Sequence, residues 1–150
     1  MTTLAEIRQA TLADLEILVP LFDAYRQFYK QTPDLAGARA YLQARLERQE
    51  ATVFLAQKDG LVLAFALLYD TFSSVPMQHL TILNDLYTVP EARGMGLASA
   101  LVEAARVYAQ SQKSVFLRLR TAQDNFIAQS LYERLGFVKD EVYLTYNLKP

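Results

Sequence analysis

The stretch LNDLYTVPEARGMGLASALVEAA, residues 83–105, decides the fold. An apolar, strand-like run ends at Val89, a Pro-Glu-Ala-Arg turn follows, and apolar residues return at helical spacing after Gly96. A glycine at the start of a helix costs roughly 0.5–1 kcal/mol relative to alanine unless the position needs its freedom. The pair Gly94 and Gly96 therefore raises the question of what lies against this turn.

Two physical properties of the turn favour a phosphate ligand. Glycine has no Cβ, so a ligand can approach the backbone, and the first turn of a helix leaves N–H groups unpaired at the positive end of the helix dipole. Arg93 adds a cation. The pattern thus predicts a phosphate cradle, with a tight turn that binds nothing as the structural alternative. It is not a Walker loop, and Gly94-x-Gly96-x-x-Ser99 lacks the third glycine of a dinucleotide-binding turn.

Composition narrows the class of protein. With 150 residues, 52% of them hydrophobic, the chain can form one domain over 1–150 with a full core. A net charge of −1 argues weakly against a nucleic-acid partner. The absence of cysteine excludes disulfides and thiolate chemistry, and the single histidine, His79, argues against a histidine metal cluster. We find no signal peptide and no membrane-spanning run, so we expect a soluble, cytoplasmic protein without a metal.

The order of hydrophobic patterns predicts an α/β protein with a mixed sheet of six to seven strands and helices on both faces. Strands are predicted over 6–11, 52–57, 61–69, 77–89 and 114–120, with one or two more over 137–148. Helices are predicted after Thr11 (with Asp14 as its capping partner), after Thr32-Pro33-Asp34, over 96–110 and over 124–136. Pro20 lies inside the first helix and predicts a kink or a break there.

Two motifs carry a resemblance to a known family. Arg93-Gly94-Met95-Gly96-Leu97-Ala98 resembles the Arg/Gln-x-x-Gly-x-Gly/Ala signature of the GNAT family of N-acetyltransferases. NFIAQSLYERLGF, residues 125–137, resembles the family's second signature, Asn-x-x-Ala-x-x-Leu-Tyr-x-x-x-Gly-Phe, and follows in the family's order. LNDLYTVPEARGMG further resembles the spermidine/spermine and histone/polyamine acetyltransferases, with Asn84 at their common glutamate and Thr88 at their valine.

The resemblance implies the GNAT fold, acetyl-CoA as cosubstrate and a set of residues that bind it. The turn and helix start would hold the pyrophosphate through Arg93, Gly94, Met95, Gly96, Leu97, Ala98 and Ser99. The pantetheine arm would bond backbone groups of Leu86, Tyr87 and Thr88, and an N–H near Tyr87 would stabilise the oxyanion. Asn125 would also bond the arm, with a plain helix N-cap as its structural alternative.

Catalytic roles follow from the proton balance of amine acetylation. Tyr132, a phenol with a pKa near 10, can protonate a departing thiolate whose pKa is near 8.5, although a packed core tyrosine is the alternative. At pH 7 only about one lysine-like amine in 2,500 is free base, a penalty of roughly 4.6 kcal/mol. A base or a relay of waters could remove this penalty. Asn84 can hold a water but cannot act as a base. Asp85, expected on the opposite strand face, can take the proton, bind a cationic acceptor, or pair with an arginine. We expect His79 at the surface or on an edge.

The resemblance and the polar residues together predict the acceptor. Aromatic rings and carboxylates suit a cationic amine, and those expected near the acceptor are Tyr25, Tyr29, Asp34, Tyr69, Asp70, Phe72 and Ser73. The predicted reaction is acetyl transfer to a primary amine of a small cationic acceptor (polyamine, amino acid or related amine) by direct attack. The alternatives are acetylation of a protein lysine or N-terminus, and a non-catalytic acetyl-CoA sensor. Homodimers are frequent among such relatives, which implies a homodimer here.

Overall fold

The computed structural model describes residues 4–150, which fall into two compact units that meet in sequence at Arg120 and Thr121. The first contains β1 (Glu6–Gln9), α1 (Leu15–Phe28), α2 (Leu35–Glu47), β2 (Thr52–Lys58), β3 (Leu61–Ser73), β4 (Gln78–Thr88), α3 (Leu97–Ser111) and β5 (Leu117–Arg118). The second contains α4 (Phe126–Arg134). The organisation as one domain over 1–150 stays a prediction.

The strands form a five-stranded mixed sheet in the order β1-β2-β3-β4-β5. Each pair from β1 to β4 is antiparallel, whereas β4 and β5 are parallel. Parallel neighbours need a crossover connection, and α3 supplies it. The turn between β2 and β3 is tight because Asp59 and Gly60 both adopt left-handed backbone, with φ of 51° and 79°.

Helices cover both faces of the sheet, as the sequence predicts. On one face Leu55 and Phe65 pack in a single core with Leu18 of α1 and Leu42 of α2. Because side chains alternate along a strand, the buried Leu68 points to the opposite face, where α3 contacts β2, β3 and β4.

The predicted helix starts are present. Thr11 N donates to Asp14 Oδ2 at 2.9 Å, and Gly37 N donates to Asp34 Oδ1 at 2.8 Å at the start of α2. α1 continues through Pro20 without a break. The buried neighbours Leu18 and Val19 hold this turn against the core, which compensates for the hydrogen bond that proline cannot donate.

The prediction of six to seven strands is wrong, since the sheet has five. The run 137–148 forms no strand: a strand needs a partner ladder, and within the described residues 121–150 α4 is the only regular element. Asp140 Oδ1 also accepts from the amides of Val142 and Tyr143, which makes a turn inside the predicted strand. The strand predicted over 114–120 shortens to Leu117–Arg118, whereas β3 extends to Ser73 because β4 pairs with it that far.

Candidate active site

The parallel pair β4 and β5 opens along one edge. The two strands pair only at Thr81–Leu117 and Ile82–Arg118. From Leu83 to Thr88, β4 remains paired with β3, but its other edge has no strand partner among the described residues. The resemblance implies that the pantetheine arm bonds backbone groups of Leu86, Tyr87 and Thr88, so the arm is expected in this opening, which we call the gap.

The antiparallel ladder determines which backbone groups face the gap. Val89 N donates to Leu63 O at 2.9 Å, so this residue pair exchanges hydrogen bonds across the strands. Such pairs alternate with non-bonded ones, so Phe65 and Tyr87, two positions along, form the next bonded pair. The N–H of Tyr87 is therefore directed at β3, whereas the backbone groups of Leu86 and Thr88 point into the gap.

β4 contains a bulge at Asn84. Asp85 lies opposite Leu67 and Leu83 lies opposite Leu68, which leaves Asn84 as the extra residue. Asp85 consequently shares the sheet face of Leu67, toward α1 and α2. Asn84 Nδ2 donates to Asp85 Oδ1 at 2.9 Å, so the expectation that the two side chains point to opposite faces is wrong.

Asp85 is a buried carboxyl without a cationic partner. Its exposed fraction is 5%, and none of the ion pairs among residues 4–150 includes it, so the structure does not show the pairing with arginine considered above. Burial raises the pKa of Asp85 to about 6, although hydrogen bonds from Tyr25 and Asn84 act in the opposite direction. A carboxyl with this pKa changes charge close to neutral pH.

Four aromatic side chains, which we call the aromatic cluster, lie on the same side of the sheet. The ring of Tyr25 is 5.1 Å from Tyr29, 6.0 Å from Phe65 and 6.3 Å from Tyr87, measured between centroids. The Tyr25 hydroxyl also donates to Asn84 O at 3.3 Å, which ties the cluster to the bulge. Aromatic faces beside a carboxylate attract a cation.

The other residues predicted near the acceptor divide into two groups. Tyr69 lies on the face of the aromatic cluster and packs against the same core. Asp34 instead caps α2, and Asp70 accepts a hydrogen bond from Tyr108 on α3. Phe72 is 74% exposed and contacts the half-buried His79, at the far end of β4 from the bulge. Ser73 ends β3.

Sequence reasoning missed Tyr41. Its hydroxyl forms a hydrogen bond with that of Tyr69, and its ring stacks on Phe22 at 5.8 Å. Its position directly before the fully buried Leu42 was the available signal, since that places it on the flank of α2 that borders the core.

The glycine turn has the properties of an anion cradle. Gly94 and Gly96 adopt left-handed backbone with φ of 80° and 79°, and a Cβ added to either would meet no atom within 4 Å. Gly96 is the N-cap of α3, because Ala100 N donates to Gly96 O at 3.1 Å. The amides of residues 97–99 thus precede the first helical bond, and no acidic side chain lies in the first turn. Arg93 Nε donates to Thr88 O at 3.3 Å, which anchors this cation to the end of β4. These residues fit a phosphate-bearing ligand.

The second unit holds Asn125 and Tyr132. Asn125 Oδ1 accepts from Ala128 N at 3.2 Å, so the side-chain oxygen is the N-cap of α4, as the structural alternative predicts. The Nδ2 amide group is not used by this cap. Tyr132 is half-buried, and its ring lies 5.6 Å from that of Phe137.

Among residues 4–150, no group of His, Cys, Asp or Glu side chains is arranged to hold a metal ion. The described helices include none that is both long and apolar enough to span a bilayer.

The first unit thus contains a turn suited to a phosphate-bearing donor and a buried carboxyl that can act as a base. Comparison with known proteins makes the class specific. The chain belongs to the Acetyltransferase (GNAT) family, whose family model matches residues 18–137.

The chain is similar to the "Uncharacterized N-acetyltransferase YhfO" of Bacillus subtilis (strain 168), at 44% identity over 142 residues and 95% of each chain. A solved "probable acetyltransferase" superimposes with a TM-score of 0.92 at 38% identity, over 97% of each chain. The aminoglycoside N-acetyltransferase AAC(6')-Iy, solved in complex with CoA, shares the fold with a TM-score of 0.86 at 20% identity, over 100% of this chain and 98% of that one.

These findings confirm the predicted enzyme class: the chain is an N-acetyltransferase, and acetyl-CoA is the acyl donor of its family. They do not support the narrower resemblance to the spermidine/spermine and histone/polyamine branch, because the relatives and structures named above are acetyltransferases of unspecified or aminoglycoside type.

Proposed function

We propose that this N-acetyltransferase acetylates a primary amine of a small cationic acceptor by direct attack, with Asp85 as the general base. The observation that carries the proposal is the buried Asp85 carboxyl, which lacks a cationic partner and adjoins both the aromatic cluster and the open edge of β4. A bound ammonium group would supply the missing counter-charge.

The first unit also accounts for the donor. Acetyl-CoA supplies the acetyl thioester. The amides at the start of α3, with Arg93, are suited to its pyrophosphate. The outward backbone groups of Leu86 and the N–H of Thr88 are suited to its pantetheine arm, since the Thr88 carbonyl accepts from Arg93. One of those two N–H groups would stabilise the oxyanion as negative charge develops on the carbonyl oxygen.

Asp85 suits the role of base because of its pKa. A general base works best when its pKa is close to the working pH. With a pKa of about 6, Asp85 is mostly ionised at pH 7 yet holds a proton far better than an exposed aspartate. It can attract the ammonium form of the acceptor and then take a proton from it. Asn84, which replaces the family's glutamate, orients Asp85 through its amide.

In this proposal Tyr132 donates a proton to the departing thiolate, and Asn125 Nδ2 bonds the pantetheine arm. Both roles rest on the second sequence motif. The homodimeric state and the cytoplasmic location stay predictions.

Release of free thiol from acetyl-CoA over a panel of amines tests the proposed function. The panel pairs each cationic amine with a neutral analogue of the same shape and includes a lysine-containing peptide. We expect the small cationic amines to have the highest kcat/KM. Faster turnover of the peptide would favour protein acetylation, and acetyl-CoA binding without thiol release from any amine would favour the sensor.

A further inference from the structure

Amine acetylation must release a proton from a buried place. An ammonium ion and a thioester give an amide, a thiol and one free proton. If Asp85 receives that proton, as the proposed function on which this inference rests requires, a group that is 5% exposed must pass it to solvent in every turnover. We propose that Tyr69 and Tyr41 form the relay that carries this proton from Asp85 to the surface beside the end of α2.

The sheet register places the first member of the relay near Asp85. Asp85 lies opposite Leu67, and Tyr69 is two residues further along β3, on the same face. Diagonal neighbours of this kind are within reach of a long aromatic side chain. The bulge at Asn84 creates this arrangement, because it turns Asp85 to the face that carries Tyr69.

The second member connects the relay to α2. The hydroxyls of Tyr69 and Tyr41 are hydrogen-bonded to each other. Exposure increases along the series, from the buried Asp85 through the half-buried Tyr69 to Tyr41, which is 39% exposed.

Electrostatics keep the Tyr69 phenol in the protonated form that a relay needs. Burial, the bond to Tyr41 and the charge of Asp85 all raise the pKa of Tyr69, so it stays protonated at neutral pH. Arg45 lies 4.8 Å from the centre of the Tyr41 ring and pairs with Glu50 at 3.3 Å. Several titratable or charged side chains face Asp85 and Tyr69. They are Tyr25 from α1, Tyr41 and Arg45 from α2, and Tyr87 from β4.

The relay opens into a polar cavity. The cavity has a volume of about 560 Å³, and its lining includes Tyr69, Arg45, Glu50 and Asp70. It is large enough for several waters, which can carry the proton to solvent.

The transfer leaves no charge on either phenol. The acceptor nitrogen gives a proton to the Asp85 carboxylate. No hydrogen bond joins Asp85 to Tyr69 among the described residues, so the carboxylic acid gives its proton to the Tyr69 oxygen through a bridging water. Tyr69 meanwhile gives its own proton to Tyr41 or to water in the cavity. Asp85 returns to the carboxylate form, and no oxidant or reductant takes part.

The test is rescue by an external buffer. With the best amine from the panel, Tyr69→Phe should lower kcat about tenfold and change KM for the amine less than twofold. The acid limb of the pH profile should stay in place, because the base is unchanged. A hindered, non-nucleophilic base such as 2,6-lutidine should restore kcat with a saturable concentration dependence. A purely structural defect would not respond to the buffer.

Two further variants complete the experiment. Tyr41→Phe should lower kcat about threefold, with the same rescue, because water in the cavity still reaches Tyr69. Tyr108→Phe removes a tyrosine hydroxyl that bonds Asp70 from α3, and it should show no response to the buffer. If Tyr69→Phe does not fold, as judged by circular dichroism, Tyr41→Phe decides the question.

An unchanged kcat, or a loss that the buffer does not restore, overturns the relay. Asp85→Asn separates this failure from that of the proposed function. If Asp85→Asn is defective while Tyr69→Phe has parental kinetics, only the relay is wrong. If Asp85→Asn has parental kinetics at all pH values, the assignment of the base is wrong, and the relay falls with it.

Discussion

The bulge of β4 and the junction of α1 with α2 each bury an aspartate, yet the two carboxyls have opposite properties. Asp23 is 2% exposed and Asp85 is 5% exposed. Burial acts to raise the pKa of Asp23, but the amide of Asp34 and the guanidinium of Arg26, 2.7 Å away, hold it below the ordinary value. Asp85 has only neutral partners, and its pKa is raised to about 6.

The difference shows that the pKa of a buried carboxyl depends on its hydrogen-bond and charge partners as well as on burial. Those partners distinguish a structural carboxyl from one that can exchange a proton near neutral pH. The hydrogen bonds of Asp23 fasten the loop before α2 to α1. The hydrogen bonds of Asp85 orient the carboxyl but do not neutralise its charge. A bound cationic acceptor would therefore stabilise the buried charge.

The largest expected effect is on activity. Asp85→Asn removes the proposed base and should lower kcat/KM for the best amine about 10³-fold at pH 7, with a higher KM and nearly unchanged acetyl-CoA affinity. The loss should shrink as the pH approaches the pKa of the amine, because less deprotonation is then needed. The measurement is a pH–rate profile, with Asp59→Asn in the exposed β2–β3 turn as a control of equal charge change. Parallel profiles at similar kcat/KM would make Asp85 a structural residue like Asp23.

Stability should change in opposite directions at the two aspartates. The raised pKa of Asp85 means that its native state binds a proton more tightly than the unfolded state, so stability falls as pH rises from about 4 to about 6. Asp85→Asn removes that penalty and should raise the free energy of unfolding at pH 8 by up to about 3 kcal/mol. Asp23→Asn should lower it because the substitution weakens the bonds to a cation and an amide. Urea unfolding measures the change in the free energy of unfolding for each variant. Changes of the same sign in the two variants would contradict the distinction between the two aspartates.

A second comparison concerns two glycines that share the same left-handed backbone but differ in their proposed role. Gly60 and Gly96 both have φ of +79°, and a Cβ at either meets no atom within 4 Å. Gly60→Ala and Gly96→Ala should therefore each cost roughly 1–2 kcal/mol of stability. Only Gly96→Ala should weaken acetyl-CoA binding, by about tenfold, because its methyl group occupies the space of the ligand. Titration calorimetry measures this, and equal affinities in the two variants would argue against the turn as the cradle.

The smallest expected effect is a shift in pH dependence. The Asn84 amide lowers the pKa of Asp85, so Asn84→Ala should move the acid limb of kcat/KM upward by about half a pH unit. Asn84→Asp should move it further, by about one unit, because a second carboxylate disfavours ionisation. A limb that stays in place in both variants would mean that Asp85 does not control it.

Local rules made much of the first unit predictable. Capping at Thr11 and Asp34, the β2–β3 hairpin and the glycine turn all depend on residues a few positions apart, and so does the alternation that separates strands from helices. The same rules failed for 137–148. Its apolar residues resemble a strand, but a strand also requires a partner, which a local pattern does not report.

The sequence by itself determined that this chain is an N-acetyltransferase of the GNAT family. It also showed a glycine turn suited to phosphate and an Asn-Asp pair in the strand before that turn. Only the tertiary structure decided what that pair does. The bulge that turns Asp85 inward is set by register with β3, and the Tyr25 hydroxyl that bonds the bulge comes from a residue 59 positions away. Tyr41 and Tyr69, which meet beside the site, are 28 positions apart. A pKa depends on desolvation and on neighbours in space, so the chemistry of Asp85 exists only once these distant segments have packed together.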